Sequence, residues 1–365
     1  MYVETPCVLI DLDIMNRNID RMSAIAKRNG ITVRPHTKTH KIPEIAKMQL
    51  ASGAVGITVA KVSEAEVMAE NGLKDIFIGY PVIGEAKIKR ALALNRKIHL
   101  IIGVDSLVGA KMLSDVAQHE GQTVEVRLEV DTGLKRTGIP YSEALSLARE
   151  IDQMKGLQLK GIFTFRGLIY KGEPTGDRVK AGHEEGELLV TLAEKLRAEG
   201  IDIKDVSLGS TPTSEFAAEI PGVTEIRPGT YVFNDAQEAK LGVCSLDDCA
   251  AKVLVTVISI PSKDLAILDG GSKTFATDVN PGVYPAFLEG YGNVELSDNL
   301  ILERLNEEHG MLKVKQGAPE LKVGDRVTVI PNHICSTVNL HNKVYFTQNN
   351  IVIREVVVAG RGKLY

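Results

Sequence analysis

The octapeptide Arg34-Pro35-His36-Thr37-Lys38-Thr39-His40-Lys41 gathers three cationic and two imidazole side chains in a chain whose charge is otherwise balanced. Pro35 biases Arg34 away from the helical region, so the stretch is expected to be extended. The period of two in a strand then sets Arg34, His36, Lys38 and His40 on one face, with Thr37 and Thr39 on the other. Like charges disfavour an ammonium ion, and a lysine that gives up its proton can form a Schiff base with a carbonyl. Lys38 is therefore a candidate carrier of a pyridoxal-type cofactor, against the alternative of a solvated basic face. The second reactive pair is His333 and Cys335 in Pro331-Asn332-His333-Ile334-Cys335. Two residues apart on a strand, they share a face and can reach one ion. Imidazole with thiolate suits zinc, and two protein ligands leave positions open for substrate and water. The alternative is a buried His and Cys in a core strand.

Three turns complete the set. Gly209-Ser210-Thr211-Pro212-Thr213 follows an apolar run and precedes a predicted helix, so its amides and hydroxyls could hold a phosphate; a plain Ser/Thr helix cap is the alternative. Arg227-Pro228-Gly229-Thr230-Tyr231 could bring the Tyr231 phenol to that phosphate, or Tyr231 is a core residue. Asp131-Thr132-Gly133 with Arg136 ends another strand, and Arg136 could reach an anionic group of a cofactor or form a surface ion pair. Cys244 and Cys249 are expected to be structural, since a zinc knuckle wants tighter spacing.

The elements that must position these residues follow from periodicity. Helical spacing predicts helices over 14–28, 43–51, 61–71, 84–94, 106–119, 141–154 and 182–199. Short apolar runs at 32–36, 55–60, 76–80, 98–104, 124–130, 157–165, 206–209 and 224–231 read as strands buried on both faces. Strand and helix alternate, which fits a parallel (β/α)8 TIM-type barrel better than an open doubly wound sheet, and no Gly-rich dinucleotide fingerprint follows the first strand. Beyond about residue 237 the pattern becomes β-rich. The expected division is a cofactor-binding barrel over 9–236 and a C-terminal all-β domain over 237–365, joined by a strand from 1–8 and carrying His333 and Cys335.

With 365 residues, 44% of them hydrophobic and 25% charged, the composition is that of a globular protein with a sizeable core. A net charge of −4 and an aromatic content of 5% without Trp supply neither a basic field nor stacking platforms, so no nucleic-acid partner is expected. No basic-then-apolar leader and no bilayer-length apolar run is seen, so no membrane association is expected either. Four widely spaced cysteines suit a reducing cytoplasm.

The octapeptide, together with Pro43-Glu44-Ile45-Ala46, Ala60-Lys61-Val62-Ser63-Glu64-Ala65, Val130-Asp131-Thr132-Gly133 with Arg136, Arg227-Pro228-Gly229-Thr230-Tyr231 and Pro331 to Cys335 with Asn339-Leu340-His341, resembles the D-threonine aldolase and D-serine dehydratase family of alanine-racemase-like pyridoxal phosphate enzymes. The resemblance spans nearly the whole chain, in order. It implies a pyridoxal 5'-phosphate barrel with a C-terminal β-domain, a homodimer, and a divalent metal, zinc ahead of manganese. By motif, Lys38 carries the cofactor, Arg136 lies near its ring, and Gly209, Ser210, Thr211 and Tyr231 hold its phosphate. His333 and Cys335 bind the metal, and Tyr170 sits where the dehydratases have a tyrosine at the site. His40 is the candidate for proton transfer, while His36 is left without a role.

The substrate implied is a D-3-hydroxy amino acid. Retro-aldol cleavage of D-threonine to glycine and acetaldehyde ranks first on the wider likeness, and dehydration to a 2-oxo acid and ammonia is the alternative. Two departures favour the alternative. Cys335 stands where the aldolases tend to have aspartate, and Phe165-Arg166-Gly167-Leu168-Ile169-Tyr170 lacks their histidine, Arg166 matching neither pattern. An amino-acid racemase and a non-catalytic pyridoxal phosphate carrier are the remaining readings.

Overall fold

The computed structural model describes residues 3–365. It forms two compact units: residues 21–38, 42–229 and 362–365 make one, and residues up to Asp20, 39–41 and 230–361 make the other.

The first unit is a parallel (β/α)8 barrel. Its strands run in the order Thr32–Val33, Glu225–Ile226, Asp205–Leu208, Leu157–Phe163, Val124–Asp131, His99–Val104, Asp75–Pro81 and Ile57–Val59. A parallel bridge between His36 and Thr58 brings the first strand's extension back to the last, with Thr58 N donating to Pro35 O at 2.8 Å. Continuous apolar runs such as Ile76 to Ile78 and Leu100 to Ile102 are buried throughout, as strands covered on both faces require. The helix Arg178–Ala198 starts four residues before the apolar periodicity does, because Asp177 caps it by accepting from Lys180 N at 3.0 Å. A Cβ on Gly182 would come within 2.8 Å of Thr213 O, so only glycine lets this helix lie against the segment at 213–217.

The octapeptide is not the extended strand that its alternation suggests. Beyond the His36 bridge, Thr37–Thr39 form a 3-10 turn, which breaks the period of two. Arg34 is buried and pairs with Glu225 at 2.8 Å and with Asp75. Its charge is matched there, so it is not one of a row of like charges around Lys38.

The second unit is an antiparallel β-structure in which Ala251–Ser262 is the long central strand. It pairs with both Leu265–Leu268 and Arg326–Pro331, and the path through Gly310–Val314, Leu300–Leu305 and Gly292–Val294 closes a ring. Cys7–Asp11 adds antiparallel to the central strand and parallel to Lys343–Gln348, which pairs in turn with Ile351–Val357. Val253, Val255, Val257, Leu302, Leu312 and Val329 fill the core. No helix among the described residues is long and apolar enough to cross a membrane.

Candidate active site

In the barrel unit, Lys38 leaves its 3-10 turn so that Nζ lies 5.4 Å from the centroid of the Phe165 ring. Arg136 reaches the same ring at 4.9 Å. The turn that places Arg136 is wound on Asp131, whose carboxylate accepts from Gly133 N at 2.8 Å and Lys135 N at 3.1 Å. Thr37 anchors the other side by donating to Thr58 O at 3.1 Å and Glu64 Oε1 at 3.2 Å. An amine and a guanidinium thus meet the same aromatic ring at the C-terminal rim of the barrel, where such folds carry their chemistry. Phe165 heads the segment Phe165 to Tyr170 weighed in the sequence, but its ring had no assigned role there, since a phenylalanine after an apolar run reads as core.

The turn at Gly209 is tightly built. Gly209 adopts φ +88°, and a Cβ there would sit 2.8 Å from Ser214 Oγ, so the position accepts only glycine. Ser210 Oγ lies 2.8 Å from Thr213 Oγ1, and Thr213 donates to Glu185 Oε2 at 3.3 Å. Burial pushes the Glu185 carboxyl up to about 7, against the opposing influence of the Arg166 amide and the Arg227 and Arg166 charges. Ser210 and Thr211 are buried with this turn. The cradle and the Lys38 amine, both in the barrel unit, fit an aldehyde-bearing, phosphorylated cofactor of the pyridoxal type.

Tyr170 lies on a small hairpin, Ile169–Tyr170 against Glu173–Pro174, with Lys171 at 5.4 Å and Lys180 at 6.0 Å from its ring. Arg166 is buried, pairs with Glu184, and donates its backbone N–H to Glu185 at 3.0 Å. Its Nε and Nη1 have no protein partner.

In the β unit, Arg326–Pro331 ends as a strand before the His-X-Cys segment. His333 caps the helix Ile334–Leu340 and Cys335 lies in its first turn, so the pair meets through helix initiation rather than on a shared strand face. His333 Nδ1 lies 2.6 Å from Asp278 Oδ2, to which Ser336 Oγ also donates at 2.8 Å. Thr39 Oγ1 and Thr230 Oγ1 lie 3.1 and 3.3 Å from Cys335 Sγ. Burial alone would raise the Cys335 thiol, yet the His333 charge and these hydroxyls hold it below the usual range. Burial works against the His333 imidazolium too, but Cys335 and Asp278 hold it up to about 11. Asp235, raised to about 6 by burial against the pull of His333, accepts the Ile334 amide at 3.1 Å and fixes the helix start.

Among the described residues no group of three or more His, Cys, Asp and Glu is arranged around a metal position. His333 and Cys335 are the donor pair that the sequence singles out. The chemistry of the pair fits a borderline divalent ion completed by substrate or water, with Asp278 engaging the ring nitrogen that the ion would not use. Thr39, Thr230 and Asp278 had no sequence signal: strand alternation assigned Thr39 to another face, and Asp278 lies in a segment without periodicity. His40 is fully buried with its ring edge-on to Phe233 at 6.3 Å, and Tyr231 is buried in a 3-10 turn at 230–232.

Residues 10–237 match the family model for the alanine racemase N-terminal domain, and residues 250–347 match that for a putative serine dehydratase domain. The chain is 34% identical to a D-threo-3-hydroxyaspartate dehydratase of Delftia sp. (strain HT23), over 92% of each chain. It is 31% identical to a D-threonine aldolase of Arthrobacter sp, over 99% of this chain and 93% of that one. A cysteine-to-alanine mutant of a D-threo-3-hydroxyaspartate dehydratase, solved in the metal-free form, superposes with a TM-score of 0.89 at 33% identity over 97% of both chains. The chain belongs to the D-threonine aldolase and D-serine dehydratase family of lyases, within the alanine-racemase-like pyridoxal phosphate enzymes of fold type III.

Proposed function

We propose that this protein dehydrates D-3-hydroxy-α-amino acids to 2-oxo acids and ammonia, using pyridoxal phosphate and a divalent metal. The observation that carries the reading is the His333–Cys335 pair with its hydroxyl and carboxylate supports. Loss of a β-hydroxyl needs a Lewis acid more than a base, whereas retro-aldol cleavage needs a base for that hydroxyl. The segment from Phe165 to Tyr170, where the aldolases carry histidine, contains none. The relative solved without metal as a cysteine mutant supports a cysteine's part in metal binding.

When bound, pyridoxal phosphate supplies the electron sink for the Cα carbanion, and the metal supplies the acid for the departing hydroxyl. Lys38 Nζ is the group that holds the cofactor and then takes the Cα proton. In the barrel unit, Arg136 would orient the ring from the Phe165 side and the turn at Gly209, Ser210 and Thr211 would receive the phosphate; in the β unit, Tyr231 is the further phosphate candidate, and His333 and Cys335 would hold zinc, or manganese in its place. We keep Tyr170 as a candidate at the cofactor and His40 as the candidate for proton transfer. The active form is proposed to be a homodimer.

Retro-aldol cleavage of D-threonine, which ranks first on the sequence, is the second reading, and the likeness to the Arthrobacter aldolase over nearly the whole chain favours it. Product identification separates the two. The holoenzyme given D-serine and D-threonine should yield 2-oxo acid with ammonia; glycine with acetaldehyde from D-threonine would establish the second reading.

A further inference from the structure

The reactive thiols of this chain extend beyond Cys335. Cys249 is fully buried and Cys244 half-buried, and the two pack into one apolar cluster with Ala236, Leu288 and Ile330. The chain between them is a single 3-10 turn, Leu246–Asp248, closed in both directions by Ser245 and Asp248. Ser245 N and Oγ donate to Asp248 Oδ2 at 2.9 and 2.7 Å, and Cys249 N donates to Leu246 O at 3.1 Å. The four residues between them fold back through this turn, and the two side chains are within hydrogen-bonding reach of each other in the shared apolar cluster. Contact with Cys244, followed by burial, pushes the Cys249 thiol above its usual range, so Cys249 is the slower of the two to react. Cys244 is the one that solvent reaches.

The turn is also anchored. Asp248 O accepts from Asn18 Nδ2 at 2.9 Å and Asn234 Nδ2 at 3.3 Å, and Ala250 N donates to Phe233 O at 2.7 Å. A buried cysteine needs no partner to pack well, and two cysteines held in contact by a doubly capped turn have little conformational entropy to lose on cross-linking.

We propose that Cys244 and Cys249 are a modification site that a low-molecular-weight disulfide oxidises to an intramolecular disulfide. The Cys244 thiolate attacks one sulfur of the oxidant RSSR, forming Cys244–S–S–R and releasing RS⁻, which takes up the proton that Cys244 lost. Cys249 then gives up its proton and attacks the Cys244 sulfur, and a second RS⁻ leaves and is protonated. Two protein thiols are oxidised by two electrons and one RSSR is reduced to two RSH.

The test exposes the metal-loaded holoenzyme to glutathione disulfide, alkylates the remaining thiols and maps the peptides by mass. The expected product links Cys244 to Cys249, with Cys7 and Cys335 still alkylated. In C249S the mixed disulfide should persist on Cys244, and C244S should lose no thiol under the same exposure. C244S alters a half-exposed residue outside the proposed site, so its fold is checked by unchanged cofactor absorbance. A wild-type chain that stops at the Cys244 mixed disulfide, that loses Cys7 or Cys335 first, or that matches C244S in resistance would overturn the assignment.

Discussion

Two buried clusters of charge, one in each unit, are built on opposite plans. Inside the barrel, Glu225 receives Arg34 at 2.8 Å, Arg127 at 2.5 Å and Ser207 at 2.6 Å, while Arg227 donates to Ser207 at 2.6 Å and to Thr164 O at 2.7 Å. Opposite charges there meet each other, and the lone pairs of Glu225 are filled by the protein. In the β unit, the Cys335 sulfur and the His333 ring face two hydroxyls and one carboxylate, and among the described residues no group of three or more His, Cys, Asp and Glu is arranged to hold an ion. A carboxylate whose lone pairs are taken up by its own arginines is structure, although Arg127 Nε has no hydrogen-bond partner among the described residues; the pair proposed to hold a metal would leave coordination for something else. Burial alone does not separate them, since Glu225 and Cys335 are both buried.

The sharpest break of this comparison is at Lys38, whose amine is proposed to carry the cofactor. Lys38→Ala should abolish the yellow absorbance of bound cofactor and all turnover; a surviving band would sink the assignment. Next comes the barrel cluster around Glu225. Glu225→Gln leaves Arg34 and Arg127 each short of a buried partner and should destabilise the fold by about 3–5 kcal/mol, read as a lower urea midpoint. A cost under about 1 kcal/mol would mean that the cluster is solvated after all.

The same carboxylate sets an acid limit. Burial would raise its pKa, but Arg127 and then Arg34 bring it from 4.5 to about 2. Between those values the unfolded chain binds a proton that the folded chain does not. Stability contributed by Glu225 is therefore complete above about 4.5 and lost as pH falls toward about 2, a change of about 3 kcal/mol. Denaturation midpoints across that window should fall for wild type and flatten for Glu225→Gln. Smallest is Asp278→Asn, which keeps the shape beside His333 but removes the carboxylate; metal affinity should drop about 10–100-fold with the fold intact. Unchanged affinity in a metal titration would remove Asp278 from the site.

Much of this was readable from the residues in order. Uninterrupted apolar strands such as 98–104 between amphipathic helices give a parallel barrel, and the loss of helical period after 237 marks the change of architecture. Lys38 and the His-X-Cys pair stood out by residue type. Their local geometry did not. Nothing within a few residues of Arg34 tells that Glu225, 191 positions away, takes its charge. Once it does, the alternation from Arg34 to His40 gives way to a 3-10 turn. His333 and Cys335 look like strand neighbours until the Asp235 carboxylate, itself far off in sequence, accepts the Ile334 amide and starts a helix.

The central claim is that His333 and Cys335 hold a metal that the elimination requires. It is tested most directly by measuring metal content, cofactor absorbance and 2-oxo acid formation from D-serine on the same samples of wild type and Cys335→Ala. The account predicts that the variant keeps the cofactor, loses the metal and forms no 2-oxo acid. Full 2-oxo acid formation by the metal-free variant would contradict it.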